Sequence, residues 1–411
     1  MTPKIKIFKN KYGNPKFSYV SIIILAGSIY EKEGKRGISH FIEHLIFKGS
    51  EYNENLKILN NKLNSKGMIV NAFTTPFITS FHINTPTEYI TEAINALVQI
   101  VFNPFFRKED ILNERKVVIN ELLQRQNNPE DLASLKAQQI IYPKKNPLHN
   151  PVIGYIKDLK SIDREDVLKY YEKYYCASNM VFVSSTMKSE ESVEKIWKNA
   201  FNNFGKDIGG ESSMDLFRDM KGELGLIGKP GLYRLGRYFR GNETYYVLIN
   251  FVLPWLSKKD LFGLDIFSNY LAGSLSSKLF IELREKRQLI YGIHSDVDIG
   301  VDCVSFNINF NCKKNRKVLY ECISTIDRVL KDFYKNGLPI KEFNKFKNKT
   351  LINYDKVKGS SMYKINRYID KFYFGISDYD YDKVIKSITN DYLHNSVKKI
   401  FEEKREFVFI V

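Results

Sequence analysis

The sequence predicts an α+β protein built from two homologous α/β-layered domains, and three observations carry that expectation. Short β-branched runs alternate with helical periods, yet hairpin-like pairs of strands stand among them. Around residues 204–245 the texture turns Gly-rich and polar (GKDIGGESSMD, GELGLIGKPG), as in a connection between domains. Beyond it the earlier order returns. SYVSIIILAG (18–27) resembles YYVLINFVLP (245–254), and HFIEHLIFKGS (40–50) lies over LDIFSNYLAGS (264–274). Further on, NERKVVINELL (113–123) lies over FKNKTLINYDK (346–356). Offsets of about 224 to 233 residues, in the same order, indicate an internal duplication. The expected division is a first domain over 1–210, a linker over 211–240 and a second domain over 241–411.

Taken in order, SYVSIIILAG is a β-branched run ending in Gly, which reads as a buried strand and turn. Helices are expected over 37–48 and 54–66, followed by two strands in the Val-, Ile-, Thr- and Phe-rich stretch 67–86. Further helices are expected over 87–102, 107–126 and 163–175, and NMVFVSS (179–185) as a strand.

The formal net charge is +16, from 63 Lys and Arg against 47 Asp and Glu. The Lys residues are scattered and travel with Asn, Ile, Tyr and Phe, a pattern of surface solvation. No aromatic residues interleave with the short Lys runs, so the charge alone gives no nucleic-acid motif. Cys176, Cys303, Cys312 and Cys322 form no Cys-x-x-Cys pair, which fits free thiols in a reducing compartment. The N-terminal residues lack the apolar core of a signal peptide, and the longest early apolar run, 22–26, is too short to cross a membrane. A cytoplasmic protein is the expectation.

The chemistry concentrates in His40-Phe41-Ile42-Glu43-His44. Residues i, i+3 and i+4 share one face of a helix, so the two imidazoles and the carboxylate project together. Two imidazoles one turn apart reach a single ion at about 2.0–2.1 Å, the Zn–N distance. Glu43 then stands beside the metal, where it can take a proton from a zinc-bound water whose pKa has fallen towards ~7. Phe41, Ile42, Leu45, Ile46 and Phe47 crowd around the trio, and polar groups in such surroundings are costly unless something satisfies them. In the second copy the three positions become Leu264, Phe267 and Ser268, so the fold itself does not need them.

A catalytic zinc takes three protein ligands and keeps one open position. Glu114 and Glu121 lie seven residues apart, hence on one face of their helix, and Val117, Val118 and Ile119 between them suggest that the helix packs inside. One carboxylate can complete the site while the other hydrogen-bonds a ligating His, and spacing alone leaves both assignments open.

The stretch AGSIYEKEGKRGISHFIEHLIFKGS, with the Glu-x6-Glu helix some seventy residues on, resembles the pitrilysin/insulinase family of inverzincin metallopeptidases, including its short-chain processing-peptidase branch. The resemblance implies His40, His44 and Glu121 as zinc ligands (one zinc per chain), Glu43 as the general base and Glu114 as the supporting carboxylate. NAFT (71–74) resembles the family's edge strand, to which an extended peptide adds, so Asn71, Ala72 and Phe73 are implied as substrate contacts. LFIELREKRQLIYGI (279–293) resembles the element whose Arg and Tyr hold the peptide, implying Arg284 and Tyr291 as groups that help stabilise the oxyanion. Unaided, Arg284 reads as a surface partner of Glu282 or Glu285. The chain departs from the family pattern at Ser184-Ser185-Thr186, in the loose match NPLHNPVIGY (146–155) and at Pro76-Phe77-Ile78.

The implied protein is a zinc-dependent endopeptidase acting on short or unfolded peptides inside a chamber between two clam-shell halves. One chain of this length supplies half of that chamber. Because the metal motif and the Arg/Tyr pair occur together, a homodimer is expected, with a heterodimer with a related chain as the alternative. Two other classes are weighed: a catalytically silent scaffold, whose relatives lose metal residues that this chain keeps, and a basic nucleic-acid-binding protein. The expectation is a peptide substrate, with no nucleic acid and no membrane.

Overall fold

The computed structural model of the chain describes all residues except 1–2, 10–13, 55, 207–208, 211–212, 214–216, 218–227, 236–242, 301–302, 359, 361–362, 364–365, 368–372, 374–380 and 403. It divides into two units: Met1–Arg125 with Lys144–Gly222 and Gly359–Asn366, and Gln126–Pro143 with Glu223–Lys358 and Arg367–Val411. Most of the expected linker, 211–240, lies outside the described residues.

The first unit holds β1 (Lys4–Lys9), β2 (Phe17–Ile24), α1 (Ile38–Ile46), α2 (Leu56–Ser65), β3 (Ile69–Thr74), β4 (Thr79–Pro86), α3 (Ile90–Phe102) and α4 (Lys108–Gln126), the last residue of α4 falling to the second unit. In the second unit, α5 (Pro129–Ile141) comes next; α6 (Ile156–Ser161), α7 (Arg164–Tyr174), β5 (Met180–Thr186) and α8 (Glu190–Phe204) return to the first. The five strands form one sheet in the order β1-β5-β2-β4-β3, antiparallel except for the β1–β5 pair. The β-branched run of β2 occupies the centre and is buried almost throughout. Successive strand side chains face opposite sides. Phe182 on β5 therefore meets Trp197 of α8, with ring centroids 4.5 Å apart, and Phe102 of α3. Each such fully buried aromatic contributes roughly 1.5–3 kcal/mol of transfer free energy.

The second unit continues with β6 (Gly231–Arg234), β7 (Thr244–Pro254), α9 (Lys258–Ala272), a helical segment (Lys278–Phe280) running into a π turn (Ile281–Glu285), β8 (Ile290–Ile299), β9 (Cys303–Lys313), α10 (Arg316–Asn336), α11 (Ile340–Val357), α12 (Tyr381–Ser387), α13 (Asn390–Glu402) and β10 (Arg405–Ile410). Its sheet order, β6-β10-β7-β9-β8, repeats the first strand for strand, again with one parallel pair. The duplication read from the sequence is thus a duplication of topology. One face of this sheet carries a Phe-rich core with Phe267, Phe306, Phe333 and Phe401.

The other face is covered by α5, and here the expected domain boundary needs correction. Leu132, Ala133, Ala137 and Ile141 pack on Tyr246, Leu248, Val252, Phe407 and Phe409, so residues 126–143 belong with the second sheet rather than with 1–210. Asn128 caps the helix by accepting from the Glu130 and Asp131 amides, and Pro129 starts it. The helices expected from the sequence do not include this one. All four cysteines are buried, and none of them forms a disulfide.

Corresponding helix pairs, α1 with α4 and α9 with α11, carry polar side chains between them in both units. In the second, Tyr354 Oη donates to Asp265 Oδ2, and Asn269 bonds Thr350 at 3.1 Å and Asn353 at 3.3 Å. Burial pushes the Asp265 carboxyl up to about 6, only partly countered by the Tyr354 bond. An acid held above its unfolded value of ~3.9 stabilises the fold below that value and loses the contribution as pH rises through 6. Relative to Asp265→Asn, the parent should lose on the order of 2 kcal/mol of stability between pH 4 and pH 7. Denaturant unfolding of both proteins at the two pH values checks this, and parallel pH profiles would contradict it.

Candidate metal centre

Helix α1 begins without a side-chain cap of its own at Gly37, which is left-handed at φ 95°. A residue six positions upstream does the work instead. The buried Glu31 carboxylate accepts from Gly37 N at 2.8 Å and from Ser39 N at 2.9 Å, meeting the amide dipoles of the first turn. A Cβ on Gly37 would meet Ile153 O at 2.6 Å, so the 146–155 stretch is a brace against the start of this helix. Ser39 Oγ also shares a 2.8 Å hydrogen bond with Tyr170 Oη. These contacts fix a short helix whose Phe41, Ile42, Leu45 and Ile46 are fully buried.

On that helix His40 and Glu43 are buried and His44 half-buried, with the imidazole centroids 4.6 Å apart. Helix α4 faces them through the stripe Ile111, Glu114, Val118 and Leu122, spaced i, i+3, i+7, i+11. Val118, in the middle of the apolar run, is fully buried, as expected of a helix that packs inside. Val117 is 49% exposed, because a 3.6-residue period lets only one of three consecutive residues face the core.

The two glutamates of α4 take different places. Glu121 Oε2 stands 3.6 Å from His44 Nε2 and 3.8 Å from His40 Nε2, while Arg125 holds Oε1 at 2.8 and 3.1 Å. Glu114 Oε1 pairs with His44 Nδ1 at 2.8 Å, and its Oε2 pairs with Lys48. A proton on Nδ1 towards Glu114 leaves the Nε2 lone pair of His44 directed at Glu121. The three donor atoms of His40, His44 and Glu121 lie within 4.8 Å of one another, yet the gaps to the carboxylate are too long for hydrogen bonds. Among the described residues His40 Nδ1 is buried with no hydrogen-bond partner. Two nitrogens and one oxygen that converge without satisfying one another suit a divalent cation, and a three-ligand set of this kind suits zinc.

Electrostatics sort the same groups. Burial, reinforced by His44, lowers His40 to about 4, so its imidazole is neutral at pH 7. At His44 burial opposes the charge, but the Glu114 hydrogen bond and the charges of Glu114, Glu43 and Glu121 outweigh it and hold the ring above its ordinary value. Burial raises the Glu43 carboxyl against the pull of a Thr74 hydrogen bond, in which Thr74 Oγ1 donates to Glu43 Oε2 at 2.5 Å. Glu114 goes the other way: burial is overcome by His44 and Lys48, which hold it low.

The other residues singled out in the sequence fall into two groups. Strand β3 is an edge of the first sheet. On it Asn71 is exposed and accepts from Ala72 N at 2.8 Å, and Phe73 lies 6.0 Å from the His82 ring. In the second unit the Arg284 guanidinium sits 4.9 Å over both Phe280 and Tyr291, and Tyr291 is 84% exposed. Arg284 approaches Glu285 at 3.9 Å, whereas Glu282 takes Lys286 and Arg287, so pairing of Arg284 with Glu282 does not occur. Glu31, Lys48 and Thr74 escaped the sequence reading. Thr74 alone carried a signal, as the last residue of NAFT.

Residues 8–154 match the family described as "Insulinase (Peptidase family M16)", and residues 161–350 match "Peptidase M16 inactive domain". The chain belongs to this peptidase family. A relative named an uncharacterized zinc protease, from Rickettsia felis, is 27% identical over 386 residues, covering 93% of this chain and 89% of its own length. Among solved structures, a protease from Helicobacter pylori superposes with a TM-score of 0.80 at 20% identity, covering 96% of this chain and 94% of its own. A structure described as a peptidase M16 inactive domain from Pseudomonas fluorescens gives a TM-score of 0.80 at 15% identity, covering 100% and 95%. These structures share the two-domain α+β fold. No described helix is long and apolar enough to cross a membrane.

The two carboxylates of α4 should part company on mutation. Glu121→Gln should abolish stoichiometric zinc binding, whereas Glu114→Gln should keep the ion and weaken it by about 10–100-fold. Competition against a chromogenic chelator measures both, and the opposite order would reverse the two assignments.

Proposed function

We propose that this chain is a zinc-dependent metalloendopeptidase that hydrolyses peptide bonds in short or unfolded peptides. The observation that carries the reading is the convergence of His40, His44 and Glu121 donor atoms, with Glu43 on the same helix as the two histidines. His40, His44 and Glu121 would hold the ion. Bound there, zinc supplies a Lewis acid that polarises a carbonyl and eases deprotonation of water.

The remaining chemistry falls to side chains. Glu43 takes the proton of the attacking water and delivers it to the departing amine, a task suited to a carboxyl raised above its ordinary value. Glu114 orients His44 from behind. An extended peptide adds to the free edge of β3, where it replaces the Asn71 side chain on the Ala72 amide and sets a side chain against Phe73. Arg284 and Tyr291 hold peptide carbonyls and share the developing charge in this reading, with the exposed Tyr291 hydroxyl as the donor. The working assembly is a homodimer enclosing a chamber, with a related second chain as the alternative partner.

Purified zinc-loaded protein and its Glu43→Gln variant should be incubated with a mixture of unstructured peptides and the products read by mass spectrometry. Cuts made by the parent and slowed at least about 100-fold in the variant are the expected result. Zinc bound without cleavage by either protein would defeat the reading.

A further inference from the structure

The Thr74 hydroxyl links two parts of the site that the proposed mechanism treats separately. Thr74 is the last residue of β3, the strand whose free edge receives the peptide, and its Oγ1 donates to Oε2 of Glu43 on α1. The position of that hydroxyl is set by a rigid hairpin. Thr74 pairs with Thr79 across the β3–β4 ladder, and Thr79 Oγ1 donates to Ala26 O at 3.1 Å. In the turn, Thr75 N donates to Ile78 O at 2.8 Å, and Thr75 Oγ1 accepts from the Phe77 and Ile78 amides at 3.2 and 3.0 Å. The Gly27 backbone lies against this turn so closely that a Cβ there would clash with the Thr75 and Pro76 carbonyls, and Ser28 N and Ile29 N donate to those same two oxygens. Little freedom is left for the end of β3 to move relative to the segment leading into α1.

From this geometry we propose that Thr74 is a positioning residue, which registers the Glu43 carboxylate against the strand that holds the substrate. A glutamate has three rotatable bonds, and a base misplaced by about 1 Å forfeits on the order of 100-fold in rate. The Thr74 bond occupies Oε2 and leaves Oε1 for proton transfer. Because the same strand receives the peptide backbone, the scissile bond and the base take their positions from one β-ladder. The inference rests on the peptidase reading of the site.

Two near-isosteric variants separate this role from a merely structural one. Thr74→Val keeps the β-branched shape and removes the hydroxyl; Thr74→Ser keeps the hydroxyl. With zinc-loaded protein and a peptide cut by the parent, Thr74→Val should lower kcat by about 10–100-fold with KM and zinc affinity within about twofold of the parent. Thr74→Ser should restore kcat to within about threefold of the parent. Unchanged kcat in Thr74→Val, or equal losses in both variants, would overturn the proposal. So would a rise in KM alone, which would make Thr74 a substrate contact. Crystal structures of the parent and Thr74→Val supply a readout independent of turnover, the expected difference being a displaced Glu43 carboxylate. Should the parent cut no peptide, the peptidase reading fails on its own account. An unmoved Glu43 in the variant crystal would then dispose of the positioning role as well.

Discussion

The first unit is organised by the cost of placing two imidazoles and three carboxylates between packed helices. Unpaired, each such group forfeits several kcal/mol of hydration, so every one needs a partner of the right sign and direction. Glu114 has His44 and Lys48, Glu43 has Thr74, and Glu121 has Arg125. What remains is a set of three atoms turned towards one another across gaps that no hydrogen bond closes. The burial of α1 and its bracing by Glu31 and the 146–155 stretch keep that set from relaxing into something more ordinary.

The second unit offers an internal comparison. Its helices α9 and α11 meet through Asp265, Tyr354, Asn269 and Thr350, a polar contact that closes on itself. Position 354 stands where the first copy has Glu121, and position 264, a leucine, stands where it has His40. One topology thus carries a self-sufficient hydrogen-bonded helix pair in one copy and an open, cation-ready one in the other. The match to a domain described as inactive, over residues 161–350, runs from the first unit into the second.

Much of this was legible in the sequence because periodicity records which side of an element is buried. Strands β2 to β5 and helices α1 to α4 and α7 fall where the apolar patterns put them, and the recurrence of segments anticipated the repeated sheet order. Helix α5 was not legible. Its apolar stripe is narrow, and nothing local tells a reader that it covers a strand pair more than a hundred residues later. Glu31 escaped for a related reason: it sits in a loop without periodicity, and its worth comes from the backbone amides it meets.

By itself the sequence determined the polar side-chain types and their spacing. The i, i+3, i+4 arrangement puts His40, Glu43 and His44 on one helical face whatever the rest of the chain does, and a seven-residue interval puts Glu114 and Glu121 on another. Only tertiary structure decided which glutamate faces the imidazole Nε2 atoms and which stands behind His44, because that depends on how α4 is set against α1. It also decided that a threonine on the edge strand grips the Glu43 carboxylate, since Thr74 and Glu43 are brought together by the fold and not by any local spacing. Helical and strand periods are properties of a few consecutive residues; the approach of one element to another is fixed by side-chain volumes across the whole core.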